Sequence, residues 1–565
     1  MVDSSITSII SAILLDSIIF GILFSVFFFY RKIRSPVFNI ESEITLKKSF
    51  YNESEHDLIP LIQKVYHMPL TSVYSNLGEW GYVYLTLHKY IIYVLFLYIL
   101  IAFPVLLVIY SLGSSDVDFD SSKIGISHVI TNENYLIAPI VFIFVFSAFI
   151  AAFIYYYFSA ATEEHYEELS QPQRSVVKIS KIPSNFPPAF INYKIKKLLM
   201  SRHSKDVTKI YTIPYYEVSY KNYLKLQSLN EDLKGLYYKA RETGKRPIKL
   251  TKNLERVDEI EFVEEKIRVL KENIERAKEQ GVYFNSGKAF VFCKTEKRAK
   301  QIIELHIGND EVLKTSEWRF RASSNPQDIV WQNIGSRSKN SLGSKVLYNG
   351  LFICLFLMIL TPSTFNYLII GLVESIGGGV ILKGIVGVYL PSLLLLIYQQ
   401  VILPEAVEFL VSLEKHSYKH DEISSGLRKY LFYLVFYIFL YPLLGLKFIE
   451  LIKLFFNDSI DWEEEFANSI NENGQFFTVL LIHECFIKNA WDLMVTGKYF
   501  KAKARELIAT TEEEKALAYQ AEDFKFDLEL AISLNIFIMV CSFGVVYPLI
   551  VVPGLGFFAL RVRNI

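Results

Sequence analysis

The chain has 565 residues, 52% of them hydrophobic and 15% aromatic, with a mean hydropathy of +0.27. A water-soluble chain of this length would divide into domains of roughly 100–200 residues joined by polar linkers, whereas the apolar residues here gather in long uninterrupted blocks, which excludes that class. The net charge is zero, but residues 161–345 carry an excess of about +11 and the remainder about −11, so one basic stretch stands apart from the rest.

A helix that crosses roughly 30 Å of hydrocarbon needs about 18 or more apolar residues. The first such run covers residues 6–30. No basic residue precedes it, it is too long for a signal-peptide core, and Arg31, Lys32 and Arg34 follow it, so residues 1–34 read as an anchor span with the N-terminus outside. Residues 35–87 read as a cytosolic linker and 88–159 as a transmembrane hairpin with runs at 88–111 and 135–159. After a polar insert, 160–344, further runs occupy 345–370, 380–403, 430–450, 475–496 and 528–548, with a short one at 549–563. The fold class is thus an α-helical polytopic membrane protein of about nine transmembrane segments, with a range of eight to ten.

Loop charge gives an independent orientation, because short cytoplasmic flanks favour Lys and Arg. The loop 112–134 holds one Lys against Asp116, Asp118, Asp120 and Glu133, and 451–474 holds Asp458, Asp461, Glu463, Glu464, Glu465 and Glu472, so both read as external. The same count puts 31–87, 160–344, 404–429 and 497–527 inside, together with Arg561 and Arg563 at the end. Asn457, in the sequon Asn457-Asp458-Ser459, falls in an external loop and is a glycosylation candidate.

The insert has an α/β pattern: a strand at 174–180, a helix at 188–200, a strand at 207–213, long charged helices at 216–242 and 253–280, a strand at 288–293, a helix through Ala299 and Ile303, and a strand at 318–322. This order is that of a split βαβ sheet with an inserted helical hairpin. Its segment SGKAFVFC is similar to the aromatic strand of an RNA-recognition motif, whose rings stack unpaired bases. Alternating aromatics also bury against helices in any such sandwich, and a basic excess is ordinary in a cytoplasmic membrane loop, so nucleic acid is not expected as a partner.

No phosphate loop, dinucleotide fingerprint, metalloprotease motif or nucleophile elbow occurs, so no catalytic residue, cofactor or enzymatic reaction is expected. Cys293, Cys354, Cys485 and Cys541 are widely separated and three lie in apolar runs, which gives no disulfide or metal framework. The most chemically loaded span is 475–496, where Glu484, Lys488 and Asp492 recur every four residues and, on a regular helix, share one face. Each charge near bilayer mid-depth costs at least about 2.5–3.5 kcal/mol, so these groups must meet water or partners. They line either a hydrophilic path or a self-satisfied ladder of ion pairs packed on neighbouring spans. His483 points away from Glu484 and reads as a packed or lipid-edge residue. Gln399, Gln400, Ser533 and Asn535 are candidates for the same path or for helix-packing hydrogen bonds. Pro362, Pro391, Pro442 and Pro548 are kink or hinge candidates.

Three further stretches stand out: WRFRASSNPQDIVWQNI, with Trp318, Ala322, Pro326, Asp328, Trp331 and Asn333; VYLPSLLLLIYQQVILPEAVEFLVSLEKHSYKH, with Pro391, Pro404, Glu414 and Ser417; and AEDFKFDLELAISLNIFIMVCSFGVVYPLIVVPGLGFFAL, with Phe526, Phe537, Pro548, Leu549, Ile550, Pro553, Gly554 and Phe557. Together they resemble the OSCA family of osmosensitive, calcium-permeable channels, which includes the animal transmembrane-protein-63 relatives. SGKAFVFC also fits the family's insert. The resemblance implies an anoctamin-like core in which the five spans after the insert line a pore, making 345–565 a pore-type membrane core. It also implies eleven spans, of which the last two are unaccounted for here. The expected function is a mechanically or osmotically gated, non-selective cation channel permeable to calcium, with membrane lipids and permeant cations as partners, a homodimer left open, and a plasma-membrane or endomembrane location. The alternatives are a phospholipid scramblase and a non-conducting membrane scaffold. Glu484, Lys488 and Asp492 match no family motif, and their pore role rests on physics alone.

Overall fold

The computed structural model describes residues 4–32, 70–112, 133–168, 175–203, 207–250, 256–304, 313–323, 328–335, 389–440, 474–493, 496–509 and 524–561, with isolated positions between them. Asn457, Pro362, Pro442 and the predicted span 345–370 lie outside the described residues.

Three long helices come first: α1 (Ser4–Lys32), α2 (Leu70–Ser111) and α3 (Glu133–Glu168). Both α2 and α3 overrun their apolar runs by several turns, because hydropathy marks the hydrocarbon-facing stretch while the helix continues as long as its backbone bonds can close. Among the described residues six helices are long and apolar enough to cross a membrane: Ile9–Val26, Trp80–Ser111, Leu136–Tyr156, Leu390–Glu414, Lys419–Leu440 and Phe526–Phe543.

The insert follows the sequence reading closely. It runs β1 (Val176–Ser180), α4 (Pro188–His203), β2 (Val207–Pro214), α5 (Glu217–Thr243), β3 (Ile248–Leu250), β4 (Arg256–Asp258), α6 (Glu259–Tyr283), β5 (Asn285–Cys293), α7 (Glu296–Ile303) and β6 (Arg319–Ala322). The small β3–β4 ladder at the base of the α5–α6 hairpin has no counterpart in the sequence reading, since three-residue strands carry too little periodicity to register. The main sheet has the order β2-β5-β1-β6 with every neighbour antiparallel. One face buries Val177, Ile179, Ala289 and Val291 under Ile191, Ile195 and Leu199 of α4 and Ala299 and Ile302 of α7.

The second membrane block contains α8 (Leu390–Glu414), α9 (Lys419–Tyr433, continued by a π-helical segment Leu434–Leu440), α10 (474–493), α11 (Thr496–Ile508), α12 (Phe526–Phe543) and α13 (Val551–Arg561). The segment 404–429, expected on the cytosolic side, is helical except for a short turn, 415–418: α8 runs on through Pro404, and α9 starts at Lys419. Pro391 occupies the first turn of α8, where its missing N–H costs nothing, so the interior proline of this helix is Pro404. Pro548 opens a 3₁₀ turn, Pro548–Ile550, between α12 and α13.

Helix α12 is the centre of the bundle and α3 its rim, since 67% of the α12 apolar window is buried against 6% for α3. Phe477, Phe439 and Phe543 pack around one another with centroids 4.9–6.1 Å apart, joining α10, α9 and α12. A Cβ on Gly426 would lie 2.2 Å from Asp527 Oδ2, so α9 and α12 approach closely there because that residue has no side chain. At the other end of the bundle, Tyr98 and Tyr110 donate to the carbonyls of Gly544 and Val545, satisfying backbone groups freed where α12 stops.

Candidate functional site

Helix α10 is not regular: residues Glu484–Lys488 form a π-helical turn. A wider turn breaks the four-residue register on which the expected one-faced ladder rests. Lys488 donates to Asp492 Oδ2 at 2.5 Å one turn later and to both oxygens of Glu529 on α12, at 3.0 and 3.3 Å. Glu484 is 1% exposed, and its Oε2 has no hydrogen-bond partner among the described residues. The three predicted residues therefore part company: Lys488 and Asp492 enter a shared ion cluster and Glu484 stands outside it.

Arg561 completes that cluster. It donates from one terminal nitrogen to Asp492 and from the other to Glu529, and its Nε donates to the Tyr84 hydroxyl of α2 at 2.9 Å. Two cations and two carboxylates from α10, α12 and α13 thus close on one another with no net formal charge. Four charges taken into a bundle are tolerable only in such a fully bonded arrangement. Arg561, expected at the inner end of the last apolar run, has a side chain only 2% exposed, because α13 packs against α2 and the π turn of α10.

A second polar cluster joins α1 to the same bundle. Asp16, fully buried, accepts from Tyr389 Oη at 2.7 Å and from His483 Nδ1 at 2.6 Å, while His483 Nε2 lies 2.9 Å from Ser392 Oγ. His483 is packed, as expected, but on a carboxylate from the first span rather than on lipid. Ile9 and Ala12 of α1 and Val479 and Ile482 of α10 make the apolar surround. Asp16, Glu529 and Arg561 were all missed by the sequence reading. The available signal was a lone ionisable residue inside or at the end of an apolar run, which in a membrane is a functional-site candidate by default.

The other candidates do not join either cluster. Gln399 is buried on α8, the Gln400 Nε2 and Asn535 Oδ1 atoms are buried with no partner among the described residues, and no hydrogen bond links them to Lys488, Asp492, Glu529 or Arg561. Ser533 donates to the Glu529 carbonyl at 2.8 Å and lies 3.0 Å from His88 Nε2, a helix-packing arrangement.

The aromatic strand of the insert also has a defined neighbour. Phe290 packs with Ile213, Ile329, Ile334 and Tyr418, so its ring is covered by the α8–α9 turn and by residues 329–334.

Three family profiles match consecutive stretches of the chain. "Late exocytosis, associated with Golgi transport" covers 8–157, "Cytosolic domain of 10TM putative phosphate transporter" covers 174–333, and "Calcium-dependent channel, 7TM region, putative phosphate" covers 354–563. Among curated relatives, "Osmosensitive cation channel TMEM63C" of Rattus norvegicus is 24% identical over 261 residues, 44% of this chain and 32% of that protein. "Mechanosensitive cation channel TMEM63B" of Gallus gallus is 26% identical over 286 residues, 48% of this chain and 33% of that protein. The matched stretch spans about a third of the length of these relatives. Lys488, Asp492, Glu529 and Arg561 fall inside the 7TM match, whereas Tyr84 and Asp16 fall inside the first of the three stretches.

Proposed function

Because this chain belongs to the OSCA and TMEM63 family and is an integral membrane protein with a cytosolic insert, we propose that it is a mechanically or osmotically gated, poorly selective cation channel permeable to calcium. The observation that carries the reading is the polar interior of the 7TM-matched block, with Glu484 buried on α10 and its Oε2 left unbonded by the ion cluster one turn away. A cation pathway uses a carboxylate whose field is not already spent on a neighbouring cation. Glu484 has that property, whereas Asp492 shares Lys488 and Arg561. Lys488 then acts as the counter-charge that holds the cluster neutral next to the path. No substrate is transformed in this reading, and lipids and permeant cations are its partners.

The finer architecture of this reading is about nine spans around an anoctamin-like core, with the insert as a split βαβ module of the RNA-recognition type. The sheet order β2-β5-β1-β6 and the placement of α4 and α7 on one face support the latter. The covered ring of Phe290 argues against base stacking there, so nucleic acid is left out of the partners. The test is reconstitution into defined liposomes, with stretch-evoked current and dye-lipid translocation scored side by side. Current under tension without lipid transfer is the expected result. Lipid transfer without stretch-evoked current replaces the channel by a scramblase, and neither signal leaves a membrane scaffold.

A further inference from the structure

The four-residue turn between α8 and α9 is held by the insert at every position. Its Ser417 carbonyl accepts from Val330 N at 3.1 Å, and Tyr418 pairs with Ile329 as an antiparallel bridge. Asn333 Nδ2 donates to the His416 carbonyl at 2.8 Å, Asp328 Oδ1 accepts from His420 N at 2.8 Å, and Lys415 pairs with Glu217 of α5 at 2.9 Å. Lys288 of β5 reaches across to Ser417 Oγ at 2.7 Å and the Ile334 carbonyl at 3.2 Å, while Lys178 of β1 sits 3.8 Å from the centre of the Tyr418 ring. Beneath these bonds Ile213, Phe290, Ile329, Ile334 and Tyr418 form a closed apolar cluster.

The membrane side of the turn is equally tied. Glu414, the last residue of α8, accepts from Lys429 Nζ and Ser425 Oγ of α9 at 2.7 and 2.6 Å. The end of α8, the turn and the first three turns of α9 are thus one cross-braced corner. Backbone pairing, a filled apolar contact and directed side-chain bonds together resist both sliding and peeling, which no single surface ion pair would do.

We propose that the open face of the cytosolic sheet is a clamp on the α8–α9 corner, so that the insert and the cytosolic ends of these two helices move as one body when the membrane block changes shape. The clamp makes the insert part of the gate's moving mass rather than a tethered passenger. It rests on the channel reading for its consequence but not for its geometry.

The test uses the full chain with Ile329→Cys and Tyr418→Cys. Facing residues of a non-hydrogen-bonded antiparallel pair stand about 4.5 Å apart, within reach of a disulfide. In the reduced form the Tyr418 ring is lost from the clamp, and half-activation should move to higher tension. Oxidation, verified by mass spectrometry of the 329–418 linkage, should bring it back toward wild type. Asn333→Ala, which removes the donor to the His416 carbonyl and leaves the Tyr418 ring in place, should move it in the same direction by less. A reduced double-cysteine channel with a wild-type tension response, or an oxidised one that stays shifted, overturns the inference. If the wild-type protein carries no current in the same liposomes, the channel reading fails, and amide exchange then decides the clamp: slow exchange at Val330 and His420 in wild type, lost in the reduced variant, supports it, and exchange that is unchanged overturns it.

Discussion

Replacing Arg561 by methionine tests the ion cluster most directly. The change removes the cation that Asp492 and Glu529 share and the Nε donor to Tyr84, leaving two carboxylates on Lys488 alone. Breaking a buried ion pair by removing one partner costs about 3–5 kcal/mol. Asp492 keeps 25% of its exposure and Glu529 12%, so water screens part of the orphaned charge and the lower end, about 3 kcal/mol, applies. At about 2 °C per kcal/mol for a large chain, the melting temperature in detergent should fall by about 6 °C, read by tryptophan fluorescence. The decisive comparison is the double variant Arg561→Met with Glu529→Gln, which removes one charge of each sign. It should recover stability relative to Arg561→Met, because the two groups are coupled through the same contact. If Arg561→Met melts with wild type, or if adding Glu529→Gln lowers the melting temperature further, the cluster is not a charge-balanced unit and the reasoning fails.

Glu484→Gln should change unitary conductance or cation preference in single-channel recordings while leaving the ion cluster intact, and unaltered permeation would remove Glu484 from the path. Asp16→Ala leaves the Tyr389 hydroxyl and the His483 Nδ1–H without an acceptor, at roughly 1–3 kcal/mol each, whereas Asp16→Asn keeps one carbonyl. The alanine variant should therefore melt lower than the asparagine variant, and equal losses would show that Asp16 does not tie α1 to the bundle. Burial lowers Lys178 and Lys288 from 10.5 to about 8, with Asp421 raising Lys178, Arg321 lowering it, and Lys178 lowering Lys288. Between pH 8 and 10.5 the released clamp binds more protons than the seated one, so docking should tighten as pH rises through that window. A protection factor at the His420 amide, taken against the unstructured exchange rate at each pH, that falls over the same window would contradict this.

The class of the protein, the helical hairpin in the insert and all four strands of the main sheet were legible in the sequence. Each depends on local periodicity: apolar runs of membrane length, and alternation such as Val177 and Ile179 inward against Lys178 outward. Helix ends were read less well. The hydropathy of α8 fades after about Leu403 while its backbone bonds continue to Glu414, so that the polar segment 404–429 is helical except at the clamped turn.

The candidate site divided along the same line. The presence of Glu484, Lys488 and Asp492 in an apolar span was visible because a charge among apolar residues is a local anomaly. Which of them is spent was decided by Glu529, 41 positions from Lys488, by Arg561, 69 positions from Asp492, and by a π turn that no residue pattern announced. Sequence alone determined that charge in this bundle had to meet water or a partner, since hydrocarbon offers it neither. The tertiary structure decided how it is neutralised, because an ion pair exists only where the packing of separate helices brings its two ends within reach of one another.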